Sequence, residues 1–131
     1  MKFKIIAAVD NQYGIGKANT LPWYIKKDLK DFSKTTIGNE TNMVVMGSKT
    51  WESIPVRPLK KRINVVLTRS KPHIDNTVVF LNTVDDICNN AKLLNIDTCW
   101  VIGGAQIYSL FLENYIHLVE SIHLTMIDDI F

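Results

Sequence analysis

Apolar and polar residues follow one another in blocks along the chain, and the spacing within the blocks predicts strands and helices in turn. Near-continuous apolar runs are typical of strands buried on both faces, and they predict strands at 3–9, 42–47, 62–68, 78–81 and 98–102. An alternating run predicts one more strand at 121–127. Helical patterns lie between them except between 62–68 and 78–81, and Ser48 and Thr83 are expected to cap two of the helices. The alternation predicts an α/β fold, a doubly wound, mainly parallel central sheet with helices on both faces.

The helical pattern over 21–36 holds a carboxylate in an unusual position. Pro22 marks a helix start, and Asp28 lies at the edge of an apolar stripe formed by Ile25, Leu29 and Phe32. A carboxylate there loses solvation unless a cation or a hydrogen-bond donor meets it. Asp28 is therefore either a structural group satisfied locally or a ligand-binding group. The long polar loop before it, 11–20, favours a ligand-binding group.

Three polar turns follow predicted strands, at 47–50, 68–70 and 103–105. Ligands of doubly wound sheets bind outside the carboxyl ends of the strands, so these turns are expected to lie together. The two glycines of the last turn can present backbone amides to a phosphate, and Lys49 and Arg69 add positive charge. The pattern indicates a polyanionic cofactor; the alternative is three ordinary solvated turns whose glycines only allow close packing.

Composition narrows the class of protein. A chain of 131 residues with 47% hydrophobic content is expected to form a single domain over 1–131. A net charge of +2 is too small to indicate a nucleic acid or a membrane as partner. The sequence has no membrane-span pattern or signal-peptide core, so a cytoplasmic location is expected. Cys88 and Cys99 have no metal-ligand spacing; we expect reduced thiols and no metal site.

Separated motifs along the whole chain resemble, in order, those of dihydrofolate reductase. The matching segments are Ile6-Ala7-Ala8, Gly14-Ile15-Gly16, Leu21-Pro22-Trp23, Asp28-Leu29 with Phe32, 46–55, Arg57-Pro58-Leu59, 62–69, 101–108 and 124–128. The resemblance implies NADP-dependent reduction of dihydrofolate to tetrahydrofolate, an activity of one-carbon metabolism and a target of antifolates.

The resemblance implies a dihydrofolate site built around Asp28. This carboxylate would bind the 2-amino-4-oxo ring, helped by Thr125 through a water, while Arg62 would pair with the α-carboxylate of the glutamyl tail. Leu21 and Trp23 are implied to join Asp28 as catalytic residues. The remaining substrate residues implied are Ile6, Ala7, Leu29, Phe32, Ser53, Ile54, Leu59, Ile102 and Tyr108.

The resemblance also implies NADPH as cofactor. Its pyrophosphate would be held by Ser48, Lys49, Thr50, Gly103, Gly104 and Ala105, and its 2′-phosphate by Arg69. The segment 13–21 would close over the nicotinamide. The other cofactor residues implied are Ala8, Ile15, Gly16, Gly47, Leu67, Thr68, Ser70, Gln106 and Ile107.

Three departures and two alternatives qualify the resemblance, the first departure being Ala105 in place of a residue that is often glycine. Ser48 stands where many members carry a basic residue, and the family pattern continues past Asp128 with a final β-hairpin. We therefore expect a C-terminally truncated chain whose exposed last strand pairs with another copy or with a fused or partner domain. One alternative is the related pterin or pyrimidine reductase of riboflavin synthesis. The other is an inactive folate- or nucleotide-binding remnant, or a fragment of a longer bifunctional polypeptide.

Overall fold

A computed structural model of the chain describes residues 1–10, 26–39, 41–54, 57–70, 72–75 and 78–127. The strands are β1 (Lys2–Asp10), β2 (Met43–Gly47), β3 (Ile63–Leu67), β4 (His73–Asp75), β5 (Val78–Leu81), β6 (Thr98–Gly103) and β7 (Val119–Ile127). The helices are α1 (Lys26–Ile37), α2 (Ser48–Ser53), α3 (Val84–Leu93) and α4 (Ala105–Asn114), and a 3₁₀ turn covers Ile116–Leu118.

The seven strands of the described residues form one sheet in the order β4-β5-β3-β2-β6-β1-β7. Every neighbouring pair is parallel except β4–β5, which confirms the predicted doubly wound, mainly parallel sheet. β4 was not among the predicted strands because three residues after Pro72 are too few to show a period. It forms an antiparallel pair with β5, and the His73 ring stacks on Phe80 at a centroid distance of 4.3 Å.

The two faces of the sheet carry separate hydrophobic cores. Val45 and Val101 belong to one core, which α3 and α4 cover with residues that include Ile87 and Phe111. Val44 and Ile102, their neighbours in the chain, belong to the other core. Because successive residues of a strand point to opposite faces, a strand covered on both faces needs an unbroken apolar run. This explains the continuous patterns of β2 and β6.

The helix starts differ from one another in a way that matters for the site. Thr83 caps α3 as predicted, and its Oγ1 accepts a hydrogen bond of 3.1 Å from the Asp86 backbone N–H. The prediction for Ser48 is wrong: it is the first residue of α2, and Gly47 occupies the cap without a side-chain hydrogen bond. The reason is that β2 passes into α2 with no connecting residue. Gly104 caps α4 in the same manner, directly after β6.

Cys88 and Cys99 are free thiols, and burial raises the pKa of the Cys99 thiol to about 12. No group of metal-ligating side chains occurs within the described ranges. In the same ranges, no helix has the length and apolar character that crossing a membrane requires.

Candidate functional site

A cavity of about 530 Å³ opens at the carboxyl ends of β2, β3 and β6. All three predicted turns contribute to it. Its lining residues are Gly47, Ser48, Lys49, Thr50, Leu67, Thr68, Arg69, Asn82, Gly104, Gln106, Ile107 and Leu110. The three turns therefore lie together at one edge of the sheet, as the topological rule for doubly wound sheets predicts.

The glycines at the start of α4 bring backbone close to the cavity. Gly103 has φ of +122°, a conformation that favours glycine, and a Cβ there would lie 3.2 Å from the Tyr108 Oη. Gly104 caps α4 without a side-chain hydrogen bond, so the first amides of this ten-residue helix have no capping side chain. Such amides, at the positive end of the helix dipole, can donate to an anion.

Two cations border the cavity. The side chains of Lys49 and Arg69 are exposed, and no ion pair joins either of them to a carboxylate of the described residues. Ser70 and Thr68 form a hydroxyl contact of 3.3 Å in the turn that carries Arg69. The positive charge at this edge of the sheet is therefore available to an anionic ligand.

The hydroxyl of Thr50 is an unsatisfied group at the cavity. Thr50 is 1% exposed, and its Oγ1 has no hydrogen-bond partner in the part of the chain that the structure describes. A buried hydroxyl without a partner costs free energy. On the same wall, a Cβ at Gly47 would lie 3.0 Å from Ile107 Cγ1, so this strand end packs closely against α4. A donor-and-acceptor group in a cationic cavity is suited to a phosphate or ribose oxygen.

Four of the residues expected to surround the pterin lie on the face covered by α1 and α2, whereas Ala7 and Tyr108 belong to the core of the other face. Ile6, Phe32, Ile54 and Ile102 are buried in one cluster with Leu59 packed against it. Tyr108 links α4 to β1, because its Oη donates a hydrogen bond of 2.9 Å to the Ile6 carbonyl. Burial raises the pKa of Tyr108, so the phenol keeps its proton and remains a donor.

Arg62 is a half-buried cation near the end of α1. Its Nη1 donates to the Thr36 Oγ1 at 3.0 Å and its Nε to the Lys60 carbonyl at 2.8 Å. Burial lowers its pKa to about 10, and no ion pair with a carboxylate of the described residues compensates the loss of solvation. An anionic ligand would supply the ion pair that Arg62 lacks among the described residues.

Several predicted site residues cannot be placed in full. Ile15, Gly16, Leu21 and Trp23, and with them the segment 13–21, lie outside the described residues. Of Asp28, Leu29, Ala8 and Thr125 only the backbone is described. Asp28 and Leu29 belong to α1, which confirms the predicted helix from Lys26 onward, while the start expected at Pro22 lies outside the described residues; Ala8 pairs with Thr125 across β1 and β7.

Other predicted residues adjoin the cavity without lining it: Ser70, Gly103 and Ala105 each follow or precede a lining residue. Ser53 donates to the Thr50 carbonyl at 2.7 Å, and Ala7 is buried in the core of the opposite face. Asn82 and Leu110 line the cavity and were not predicted. Asn82 directly follows β5, so the strand-end rule could have found it, whereas Leu110 has no signal apart from helical spacing.

The cavity, the glycine-capped α4 and the sheet topology define a doubly wound α/β protein whose cavity at the carboxyl ends of the strands is suited to an anionic ligand. The chain belongs to the dihydrofolate reductase family, whose family model matches residues 2–131. It is 38% identical to a dihydrofolate reductase of Schistosoma mansoni, over 92% of this chain and 69% of that protein.

Two further relatives bear on the site and on the length of the chain. A solved dihydrofolate reductase from Enterococcus faecalis, complexed with NADP(H) and RAB-propyl, superposes with a TM-score of 0.78 at 30% identity, covering 99% of this chain and 73% of that one. A bifunctional dihydrofolate reductase-thymidylate synthase of Zea mays is 37% identical over 94% of this chain, which spans 26% of that protein. The chain is thus an NADP-dependent reductase by family.

Proposed function

We propose that the protein transfers hydride from NADPH to C6 of dihydrofolate and so forms tetrahydrofolate. The observation that supports the proposal most strongly is the cationic cavity, in which the buried Thr50 hydroxyl has no partner among the described residues. The family supplies the reaction class; the cavity, the apolar cluster and Arg62 supply binding functions that this reaction needs.

The residues around the cavity fit a dinucleotide phosphate. The amides at the start of α4, the Lys49 ammonium and the Thr50 hydroxyl would hold the pyrophosphate, and Arg69 would hold the 2′-phosphate. NADPH, when bound, supplies the hydride. The cations do not need to break an ion pair with any described carboxylate before they meet the phosphates.

The substrate half is assigned to residues of α1 and the loop before β3. Asp28, in the first turns of α1, would accept two parallel N–H bonds from the pterin ring, with Thr125 assisting through a water. Leu29, Phe32 and Ile54 would contact the ring and the linker, and Arg62 would bind the tail carboxylate. Leu21 and Trp23 would exclude water when 13–21 closes. N5 of the pterin would take a proton from water as the hydride reduces C6.

Isotope transfer tests the proposed step. The protein would be incubated with dihydrofolate and NADPH deuterated at the transferable position, and the product analysed by NMR. We expect one deuterium at C6 of tetrahydrofolate. Deuterium that remains on the cofactor or washes into solvent would contradict direct hydride transfer.

The binding-only alternative makes a different prediction in the same experiment. A folate- or nucleotide-binding remnant would bind NADPH in an equilibrium titration and form no labelled tetrahydrofolate. The chain is 37% identical in sequence to part of the bifunctional Zea mays protein. Either result is therefore consistent with a role as the reductase portion of a longer polypeptide.

A further inference from the structure

Two asparagines form similar hydrogen-bond arrangements at two different turns. Each uses its carboxamide to bridge backbone groups of a turn that carries an arginine. We propose that Asn64 and Asn82 are positioning residues: Asn64 sets Arg62 for the substrate tail, and Asn82 sets Arg69 for the cofactor 2′-phosphate. The inference rests on the proposed function, because it takes both arginine roles from it.

Asn64 lies on β3 and is 1% exposed. Its Oδ1 accepts from the Leu59 N–H at 2.9 Å, while its Nδ2 donates to the Leu59 carbonyl at 2.8 Å and the Arg62 carbonyl at 3.0 Å. All three of these hydrogen bonds thus go to the two ends of one short loop. Buried carboxamides are rarely placed in a strand unless such bonds satisfy them.

The loop that Asn64 closes contains a residue in an unfavourable backbone conformation. Lys61 has φ of +63°, which is unfavourable for a residue with a side chain. Three hydrogen bonds from one rigid, buried carboxamide hold the loop in that form. The Arg62 guanidinium extends from the end of this loop to the Thr36 hydroxyl, so its direction depends on where the Arg62 backbone is fixed.

Asn82 lies just after β5 and faces the cavity. Its Nδ2 donates to the Thr68 carbonyl at 2.7 Å and to the Ser70 carbonyl at 2.6 Å, the residues on either side of Arg69. The Thr68 N–H also donates to the Leu81 carbonyl at 2.8 Å, which ties the turn to β5. A side chain from a neighbouring strand therefore fixes the backbone from which Arg69 extends.

Equilibrium binding separates a positioning role from a general structural one. Dissociation constants would be measured for dihydrofolate and for 6-methyl-dihydropterin, which has the ring without the carboxylate tail, and for NADPH and NADH. A ratio of two dissociation constants does not depend on the folded fraction of a variant. It also needs no turnover, so a variant with little folded or active protein still gives a result.

We expect Asn64→Ser to weaken dihydrofolate binding about tenfold and to change 6-methyl-dihydropterin binding less than about twofold. Asn82→Ala should weaken NADPH binding about fivefold to tenfold and leave NADH nearly unchanged. Each variant is the matched control for the other: Asn64→Ser should not alter cofactor preference, and Asn82→Ala should not alter tail preference. Asn64→Ala, which removes the hydrogen-bonding capacity, should reproduce Asn64→Ser with a larger effect.

Double-variant cycles test the dependence on the arginines. In an Arg62→Ala background, Asn64→Ser should add no further loss of tail preference, and in an Arg69→Ala background, Asn82→Ala should add no further loss of NADPH preference. Equal weakening of both ligands of a pair, or full additivity with the arginine variant, would overturn the inference. If Arg62→Ala keeps the tail preference and Arg69→Ala keeps the NADPH preference, the proposed arginine roles are wrong.

Discussion

At the residue scale, Thr50 shows how a binding group can be recognised by what it lacks. Its hydroxyl is buried and has no partner in the described structure, so it contributes nothing to the fold that a methyl would not. We predict that Thr50→Val weakens NADPH binding by about tenfold, the cost of one hydrogen bond to a charged group, while the melting temperature of the cofactor-free protein does not fall.

Thr36 is a matched control for this prediction. It is also fully buried, but its Oγ1 donates to the Phe32 carbonyl at 2.8 Å and accepts from Arg62 at 3.0 Å. Thr36→Val should therefore lower the melting temperature and leave NADPH binding unchanged. A loss of stability in Thr50→Val as large as in Thr36→Val would contradict the assignment of Thr50 to the ligand.

Arg69 is expected to decide between the two nicotinamide cofactors. Its guanidinium is exposed at the cavity and can meet a phosphate that NADH does not carry. Arg69→Ala should raise the dissociation constant of NADPH by more than about tenfold and that of NADH by less than about twofold. Lys49→Ala is the comparison, since a cation at the pyrophosphate should affect both cofactors equally. Equal losses in Arg69→Ala would make it a general phosphate contact.

At the element scale, the two kinds of helix start have different consequences. The Thr83 hydroxyl caps α3 by accepting from the Asp86 N–H and does not itself line the cavity, although its neighbour Asn82 does, whereas Gly104 leaves the start of α4 without a capping side chain. Thr83→Ala should lower the free energy of unfolding by about 1 kcal/mol and leave the dissociation constant of NADPH unchanged. Urea denaturation and a cofactor titration on the same sample measure both quantities. A cofactor effect would mean that α3 is coupled to the site.

The elements also show what the sequence could reveal. β2 and β6 are covered on both faces, so each has an unbroken apolar run that identifies it in the sequence. The ends of these runs also locate the turns that follow the two strands. β4 is too short to have a period, and the cap of α2 shifted to Gly47 because no connecting residue separates it from β2. These misses depend on chain geometry at single positions, which local patterns do not determine.

Some features of the site could be predicted from the sequence and others could not. Strand ends and the family resemblance placed Lys49, Thr50 and Arg69 at one cavity. The hydrogen bonds of Arg62 to Thr36 and of Asn82 to the turn at Arg69 join residues that are distant in the chain. Such contacts appear only once the strand order is known.

At the scale of the whole molecule, β7 ends the strand order and has β1 as its strand partner among the described residues. Ile122 is 48% and Leu124 is 59% exposed. An apolar strand at the edge of a sheet is a template for pairing with another chain. We predict that the 131-residue chain self-associates and that Leu124→Lys shifts it toward the monomer in sedimentation equilibrium.

Leu93 provides the control for this prediction, since it is 81% exposed but lies on α3. Leu93→Lys should leave the association unchanged. A concentration-independent monomer in the parent chain, or the same shift from both leucine variants, would contradict a role for the β7 edge.

The proposed reduction is tested most directly by the rate of NADPH oxidation that depends on dihydrofolate, in the parent and in Asp28→Asn. We predict turnover in the parent at neutral pH and a rate at least about two orders of magnitude lower in Asp28→Asn, with NADPH binding nearly unchanged, because the variant loses a charged hydrogen-bond pair with the pterin. A folded parent that binds NADPH without dihydrofolate-dependent oxidation, or an Asp28→Asn rate within about threefold of the parent, would contradict the proposal.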